Sequence, residues 1–224
     1  MKNKRKSTLK FTSRKIYFQE HLSSLPWLVI SAFLLFNCSP AEKISTLSTF
    51  SDTAMVNCII EIPAGTNKKI EYSKIEKEFV TDQRDGGDRV ISYLPYPGNY
   101  GFIAATYSDP AKGGDGDPLD VLVICEALPT GTILEAIPIA VLRLIDNGEA
   151  DFKVICIPAE KEKRTMDAVT FFEFSYKYPE ALSVLESWFR NYDSHDNTHI
   201  EGWGDEKEAL IEILKTANHK KKDL

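Results

Sequence analysis

Three carboxylates, Asp115, Asp117 and Asp120, fall within six positions of the segment GGDGDPLDVLV, residues 113–123. Gly113, Gly114, Gly116 and Pro118 punctuate them, which predicts a turn rather than a helix. The apolar VLV that follows predicts a buried strand. Like charges a few ångströms apart repel by about 1–4 kcal/mol per pair between bulk water and a protein surface, unless a cation offsets them. Oxygen-only donors favour hard divalent ions, Mg²⁺ before Zn²⁺. An acidic surface turn remains the plain alternative. A calcium loop is a third reading, since Asp115 and Asp117 have the spacing of its first ligands and Glu126 falls at its twelfth position. That match fails in the middle, where Asp120 stands at the place of the turn glycine and Leu119 replaces a ligand.

Other polar residues sit where an acidic pocket needs them. Glu61 interrupts the apolar run CIIEIP, and Lys69 and Glu71 share one face of the return strand KKIEYSK after the turn PAGTN, where charges paired across a hairpin are the simpler explanation. Arg84 and Arg89 bracket a glycine turn. Tyr96 and Tyr100 flank Pro97-Gly98-Asn99, and two tyrosines on a non-helical loop need partners for their hydroxyls. Asp151 and Lys153 are two apart and so project from one strand face, with Asp146 across the turn. Alone, such a pair is ordinary surface charge.

The elements that must hold these groups can be read from period and punctuation. AVLRLIDNGEADFKVICIP predicts a hairpin turning at Asn147-Gly148. Pro179 to Tyr192 predicts a helix with Leu182, Leu185, Trp188, Phe189 and Tyr192 on one face and a proline in its first turn. A second amphipathic helix is expected from Asp205, its cap, to about Lys215, preceded by EGWG.

The chain has 224 residues and a net charge of −6. Its first 37 residues hold seven Lys/Arg and one acid, Glu20, ahead of the apolar LPWLVISAFLLF. Those twelve residues are too few to span a bilayer, which takes about twenty, but they suit a signal core. Cys38 follows directly, as in a bacterial lipobox, although Asn37 stands where a small residue is usual. Residues 1–37 are thus expected to be a leader, 38–53 a Ser/Thr-rich tether, 54–218 the folded domain and 219–224 a solvated tail. Export is expected, to a periplasmic or membrane-anchored location through a lipid on Cys38. A cytoplasmic protein with a start placed too far upstream is the alternative. Without the leader's seven basic and one acidic residue the net charge falls from −6 to −12, so nucleic acid is excluded as an expected partner. Cys58, Cys125 and Cys156, an odd set, are expected to be buried thiols rather than a disulfide framework.

Taken in order, IEIPAG, Lys69 with Glu71, Arg89, YPGNYGFI, GDGDPLDVLV, IDNGEADFKV and WFRNY…EGWGD resemble the family I soluble inorganic pyrophosphatases over roughly Asn57 to Lys215. The resemblance implies an α+β fold that is mainly β: an OB-like, twisted five-stranded barrel with flanking C-terminal helices, often a homo-oligomer. It implies Mg²⁺-dependent hydrolysis of pyrophosphate, with several ions per site. Asp117 becomes the general base; Asp115, Asp120, Asp146 and Asp151 become metal ligands, with Glu61 and Glu71 as auxiliary metal positions. Lys69, Arg89, Tyr100, Lys153 and Tyr192 become phosphate-binding residues, and Tyr96 supports their loop. Arg89 rather than Arg84 takes its role from its spacing before YPGNY. The chain departs from the family at Asp193, where a lysine commonly follows the tyrosine. The expectation is that this carboxylate opposes a bound phosphate, so that Asp193→Lys lowers KM. Two alternatives remain on sequence alone: a non-catalytic, lipid-anchored metal or phosphate binder on the same scaffold, and a hydrolase of short polyphosphate.

Overall fold

The apolar runs VNCIIEI, NYGFI, DVLV, ILEAIPIAVLRLID and KVICIP all form strands. The computed structural model describes residues 40–53 and 55–217. The expected leader, Cys38 and the tail lie outside the described residues. In chain order the elements are α1 (Pro40–Thr46), β1 (Val56–Ile62), β2 (Ile70–Ser73), β3 (Glu78–Thr81), β4 (Gln83–Arg84), β5 (Gly87–Asp88), β6 (Asn99–Ile103), β7 (Asp120–Val123), β8 (Ile133–Asp146), β9 (Glu149–Ala150), β10 (Lys153–Pro158), α2 (Phe171–Lys177), α3 (Pro179–Asn191), β11 (Thr198–Asp205) and α4 (Glu206–Thr216).

Strands β1, β6, β7, β10 and β8 pair in that order, and β8 pairs back onto β1, so five strands close into a ring. Closure leaves these strands no free edge. Every contact in the ring is antiparallel except β7 with β10, which runs parallel. The expected OB-like five-stranded architecture is therefore present, with α2, α3 and α4 packed on it. Period-two alternation sorts the side chains. Leu122, Ile155 and Ile157 pack with Phe174 of α2 and with Leu185, Trp188 and Phe189 of α3. Their neighbours Val121, Val123, Val154 and Cys156 pack with Ala209 and Ile213 of α4. At Gly101, where β6 crosses β1, an added Cβ would lie 1.9 Å from the Ile59 carbonyl oxygen, so a side chain there is excluded.

Capping explains the helices. Asp205 accepts from the amides of Lys207 and Glu208, both at 3.0 Å, as its sequence position predicts. Pro179 opens α3, and the Thr170 hydroxyl accepts from the Glu173 amide at the start of α2.

Several expectations need correction. β2 does not return along β1; it pairs with β3, in the register Glu71 opposite Val80. EGWG leads into α4 as expected, but it does so as the end of β11, a strand that pairs along β8 outside the ring. Most of the stretch expected as a tether, residues 40–53, is described. Pro40–Thr46 is helical, Ile44 is buried beside Ile59 and Phe102, and the Asn57 amide donates to the Thr49 carbonyl at 2.9 Å. Packing thus begins ahead of residue 54, because Ile44, Leu47 and Phe50 give this Ser/Thr-rich stretch apolar side chains to bury. All three described cysteines are free, and Cys58 and Cys156 are buried as expected, but Cys125 is only half-buried.

Candidate active site

The acidic loop is shaped by its own backbone. Gly116 has φ +87, a left-handed conformation that glycine adopts without strain, and its amide donates to the Ser108 carbonyl at 2.8 Å. The Asp117 amide donates to Asp115 Oδ1 at 3.0 Å, which fixes the Asp115 carboxylate against the turn. The loop then enters β7 at Asp120. All three acids line one cavity of about 1260 Å³, together with Asp146 and Asp151 from either side of the Asn147-Gly148 turn.

The strands place cations against these acids. Lys153 is the register partner of Asp120 across the parallel pair β7 and β10. Its Nζ lies 2.5 Å from Asp120 Oδ2 and also donates to Asp151. The Tyr100 hydroxyl donates to Asp120 as well. Burial works against the charge on Asp120, yet Lys153, Lys69 and Tyr100 together hold its carboxyl below the usual range. Asp151 has less help. Burial and the nearby Asp120 outweigh Lys153 and push it up to about 6. Lys69 Nζ pairs with Glu71 at 3.0 Å, and Glu71 with Asp120 keeps the lysine charged against its burial. Glu61, on β1, accepts from the Tyr72 amide at 2.7 Å, and burial pushes its carboxyl up to about 8.

Aromatic side chains also line the cavity. Tyr192, at the end of α3, stacks on Trp188 at 4.8 Å between centroids, and burial pushes its phenol up to about 12. Tyr96 is 3% exposed, lies behind Tyr100 and Trp188, and does not face the cavity. That arrangement suits a support of the loop.

Glu61, Lys69, Glu71, Arg89, Tyr100, Asp115, Asp117, Asp120, Asp146, Asp151, Lys153 and Tyr192 all line the same cavity. Their convergence from β1, the segment around β2, β6, β7, both arms of the β8 to β10 hairpin and α3 is a product of ring closure. Asp117 differs from its neighbours: it is exposed, and its carboxylate has no hydrogen-bond or ion-pair partner among the described residues. Arg84 and Asp196 also line the cavity. Arg84 was visible in the sequence as one of two arginines around a glycine turn; Asp196 gave no signal.

Asp193 corrects an expectation. Its side chain is 4% exposed and lies outside the cavity lining. Oδ2 accepts from Arg84 Nη1 at 2.7 Å and from Arg89 Nη2 at 2.5 Å, and Oδ1 accepts from the His195 amide at 3.0 Å. No bare charge therefore faces a phosphate; two guanidiniums stand in front of it.

The donor set suits hard divalent cations. Asp115 and Asp146 are shifted upward by burial first and by neighbouring acids second, which marks negative charge the protein leaves unbalanced in this cavity. Among the described residues no three His, Cys, Asp or Glu side chains close around a single point. The carboxylates are spread along the wall, an arrangement that leaves room for an anion to complete the shell of an oxygen-seeking ion.

A family model for inorganic pyrophosphatase matches residues 58–221. The inorganic pyrophosphatase of Neisseria meningitidis is 33% identical over 159 residues, 70% of this chain and 84% of that protein. The one from Saccharolobus solfataricus is 35% identical over 172 residues, 74% of this chain and 92% of that protein. Among solved structures, an inorganic pyrophosphatase from Neisseria gonorrhoeae superposes with a TM-score of 0.66 at 31% identity, over 78% of this chain and 96% of that one.

Proposed function

The chain belongs to the inorganic pyrophosphatase family and hydrolyses pyrophosphate to two phosphates, and we propose that the cavity bounded by Asp115, Asp117, Asp120, Lys69, Arg89 and Lys153 is where it does so. The observation that carries this assignment is the Asp117 carboxylate, exposed and unpartnered between two engaged acids. A purely binding site has no use for a free base there, whereas hydrolysis needs an acceptor for the proton of the attacking water.

The family depends on divalent metal, with Mg²⁺ the ion expected here. Asp115, Asp120, Asp146 and Asp151 would hold several such ions, with Glu61 and Glu71 in reserve, and the chemistry the ions supply when bound is Lewis acidity toward phosphoryl oxygens and water. The protein's own part is positional and electrostatic. Lys69, Lys153 and Arg89 hold phosphoryl oxygens and stabilise charge on the departing phosphate. The Arg89 Nε is buried with no acceptor among the described residues. Tyr192 offers its hydroxyl as a further donor from the cavity lining. The Tyr100 hydroxyl donates to Asp120 and so steadies that carboxylate beside the phosphate oxygens it is expected to meet.

Export and lipid anchoring at Cys38 are part of the same proposal, supported by the basic leader and its short apolar core. Self-association is also proposed, supported by the exposed Leu210, Ile211 and Leu214 on α4. The test of the central reading is phosphate release from pyrophosphate by the full-length chain, with Mg²⁺ and with chelator, beside tripolyphosphate as a competing substrate. Release from pyrophosphate that vanishes with chelator is the expected result. Release from tripolyphosphate alone would move the assignment to polyphosphate.

A further inference from the structure

The β4 to β5 hairpin projects from the molecule, and every residue in it except Arg84 is exposed from Gln83 to Asp88. Its tip is fastened to the end of α3 through one side chain. Arg84 Nη1 donates to Asp193 Oδ2, the same oxygen that receives Arg89 Nη2. Two guanidiniums on one carboxylate oxygen repel each other, and they stay together only because the anion between them is buried and ordered. Asp193 is itself ordered by the His195 amide and ring nitrogen, each 3.0 Å from Oδ1.

Arg84 is not consumed by this contact. Its guanidinium carries five N–H donors; Nη1 meets Asp193 and lies 3.4 Å from His195 Nδ1, while Nε and Nη2 have no acceptor among the described residues. The side chain is one-third exposed and lines the large cavity, on the same side as Arg89 and Tyr192. Arg89 by contrast is shared between Asp82 at 3.0 Å and Asp193 at 2.5 Å. Of the two arginines, Arg84 keeps the more donors available for an anion.

We infer that Asp193 is a positioning residue that clamps Arg84 beside Arg89 at the mouth of the cavity, which makes Arg84 an additional phosphate-binding residue. The inference rests on the cavity being the pyrophosphate site. It also gives a use to a carboxylate placed next to Tyr192: the positive charge on this wall is delivered by a hairpin rather than by the residue that follows the tyrosine.

The experiment uses the full-length chain and two readouts, steady-state kinetics on pyrophosphate with saturating Mg²⁺, and the Kd of inorganic phosphate by calorimetry. Arg84→Ala should raise KM and phosphate Kd by about tenfold, the value of one charge-assisted contact, and change kcat less. Asp193→Asn should act in the same direction, and Asp193→Glu should recover most of the loss. The double variant should fall short of the product of the single effects, since both remove the same contact. The charge reversal Asp193→Lys should weaken phosphate binding. Arg84→Ala within twofold of wild type in both readouts overturns the inference while leaving the site reading intact. Fully multiplicative effects, or tighter phosphate binding by Asp193→Lys, overturn the clamp. A wild-type chain that does not hydrolyse pyrophosphate overturns the site reading and the inference together.

Discussion

Lys153 and Asp120 face each other in register across the one parallel strand pair of the ring, with Nζ 2.5 Å from Oδ2. The lysine is 2% exposed, so its charge has no solvent to rely on and depends on Asp120 and Asp151. Lys153→Met should therefore leave two half-buried acids without their cation. Leaving such groups unpaired costs about 1–3 kcal/mol. Urea unfolding in chelator should show a midpoint lowered accordingly, and Mg²⁺ should recover part of the loss by taking over the neutralisation. Equal midpoints for variant and wild type in chelator would show that the lysine is not what balances these acids.

Asp117→Asn tests the base. Because the carboxylate has no hydrogen-bond or ion-pair partner among the described residues, the substitution has little structural to disturb. The kcat should fall by about 10²–10⁴, while the Mg²⁺ concentration needed for half activation changes little. Turnover close to wild type would move the base elsewhere.

Asp193 sets a pH dependence of stability. Burial opposes its charge, but the His195 amide and the two guanidiniums outweigh burial and hold its pKa well below the usual carboxylate range. A depressed acid stabilises the fold above its unfolded value, about 3.9, and that contribution is lost as pH falls from there through the folded value. Asp193→Asn should be less stable than wild type by about 1–3 kcal/mol at pH 7. The gap should narrow as pH drops below about 4. Chemical unfolding curves at neutral and acid pH decide it, and a gap that is constant with pH would contradict the clamp's electrostatic origin.

The proposed leader yields a prediction of location. In a bacterial host the full-length chain should fractionate with membranes, and Cys38→Ser should lose the lipid and either remain an uncleaved precursor or be released. A wild-type N-terminus at Met1 in the cytosolic fraction would dispose of both signal and anchor.

The parts of the molecule legible in the sequence are those where local chemistry decides the conformation. The turn after Asp146 is one: Asn147 and Gly148 have φ values of 49 and 92, the pair of positive angles that Asn-Gly favours. The cap at Asp205, the helix begun by Pro179 and the turn at Gly116 are others. Asp115, Asp117, Asp146, Asp151 and Tyr192 were readable because they lie on or beside such elements, whereas Glu61, Lys69, Glu71, Arg89 and Tyr100 do not and were legible only through the order of the motifs. Long-range choices were not readable. β11 carries two glycines and little alternation, so only its pairing with β8 makes it a strand. α2 has the aromatic-rich sequence FFEFSYK with Phe172 and Tyr176 exposed, which hides its helical face. Adjacency to Tyr192 suggested that Asp193 faced the substrate, but the backbone turning out of α3 sends it behind two arginines that lie more than a hundred positions earlier.

The stack of Trp188 on Tyr192 has an optical consequence. The indole donates through Nε1 to the Leu94 carbonyl at 2.9 Å, and its ring lies 13° from parallel to the phenol that lines the cavity. An anion that recruits the Tyr192 hydroxyl changes the electronic surroundings of a chromophore fixed one ring away. Tryptophan emission thus provides an intrinsic signal for occupancy of the cavity, readable during a titration without any label.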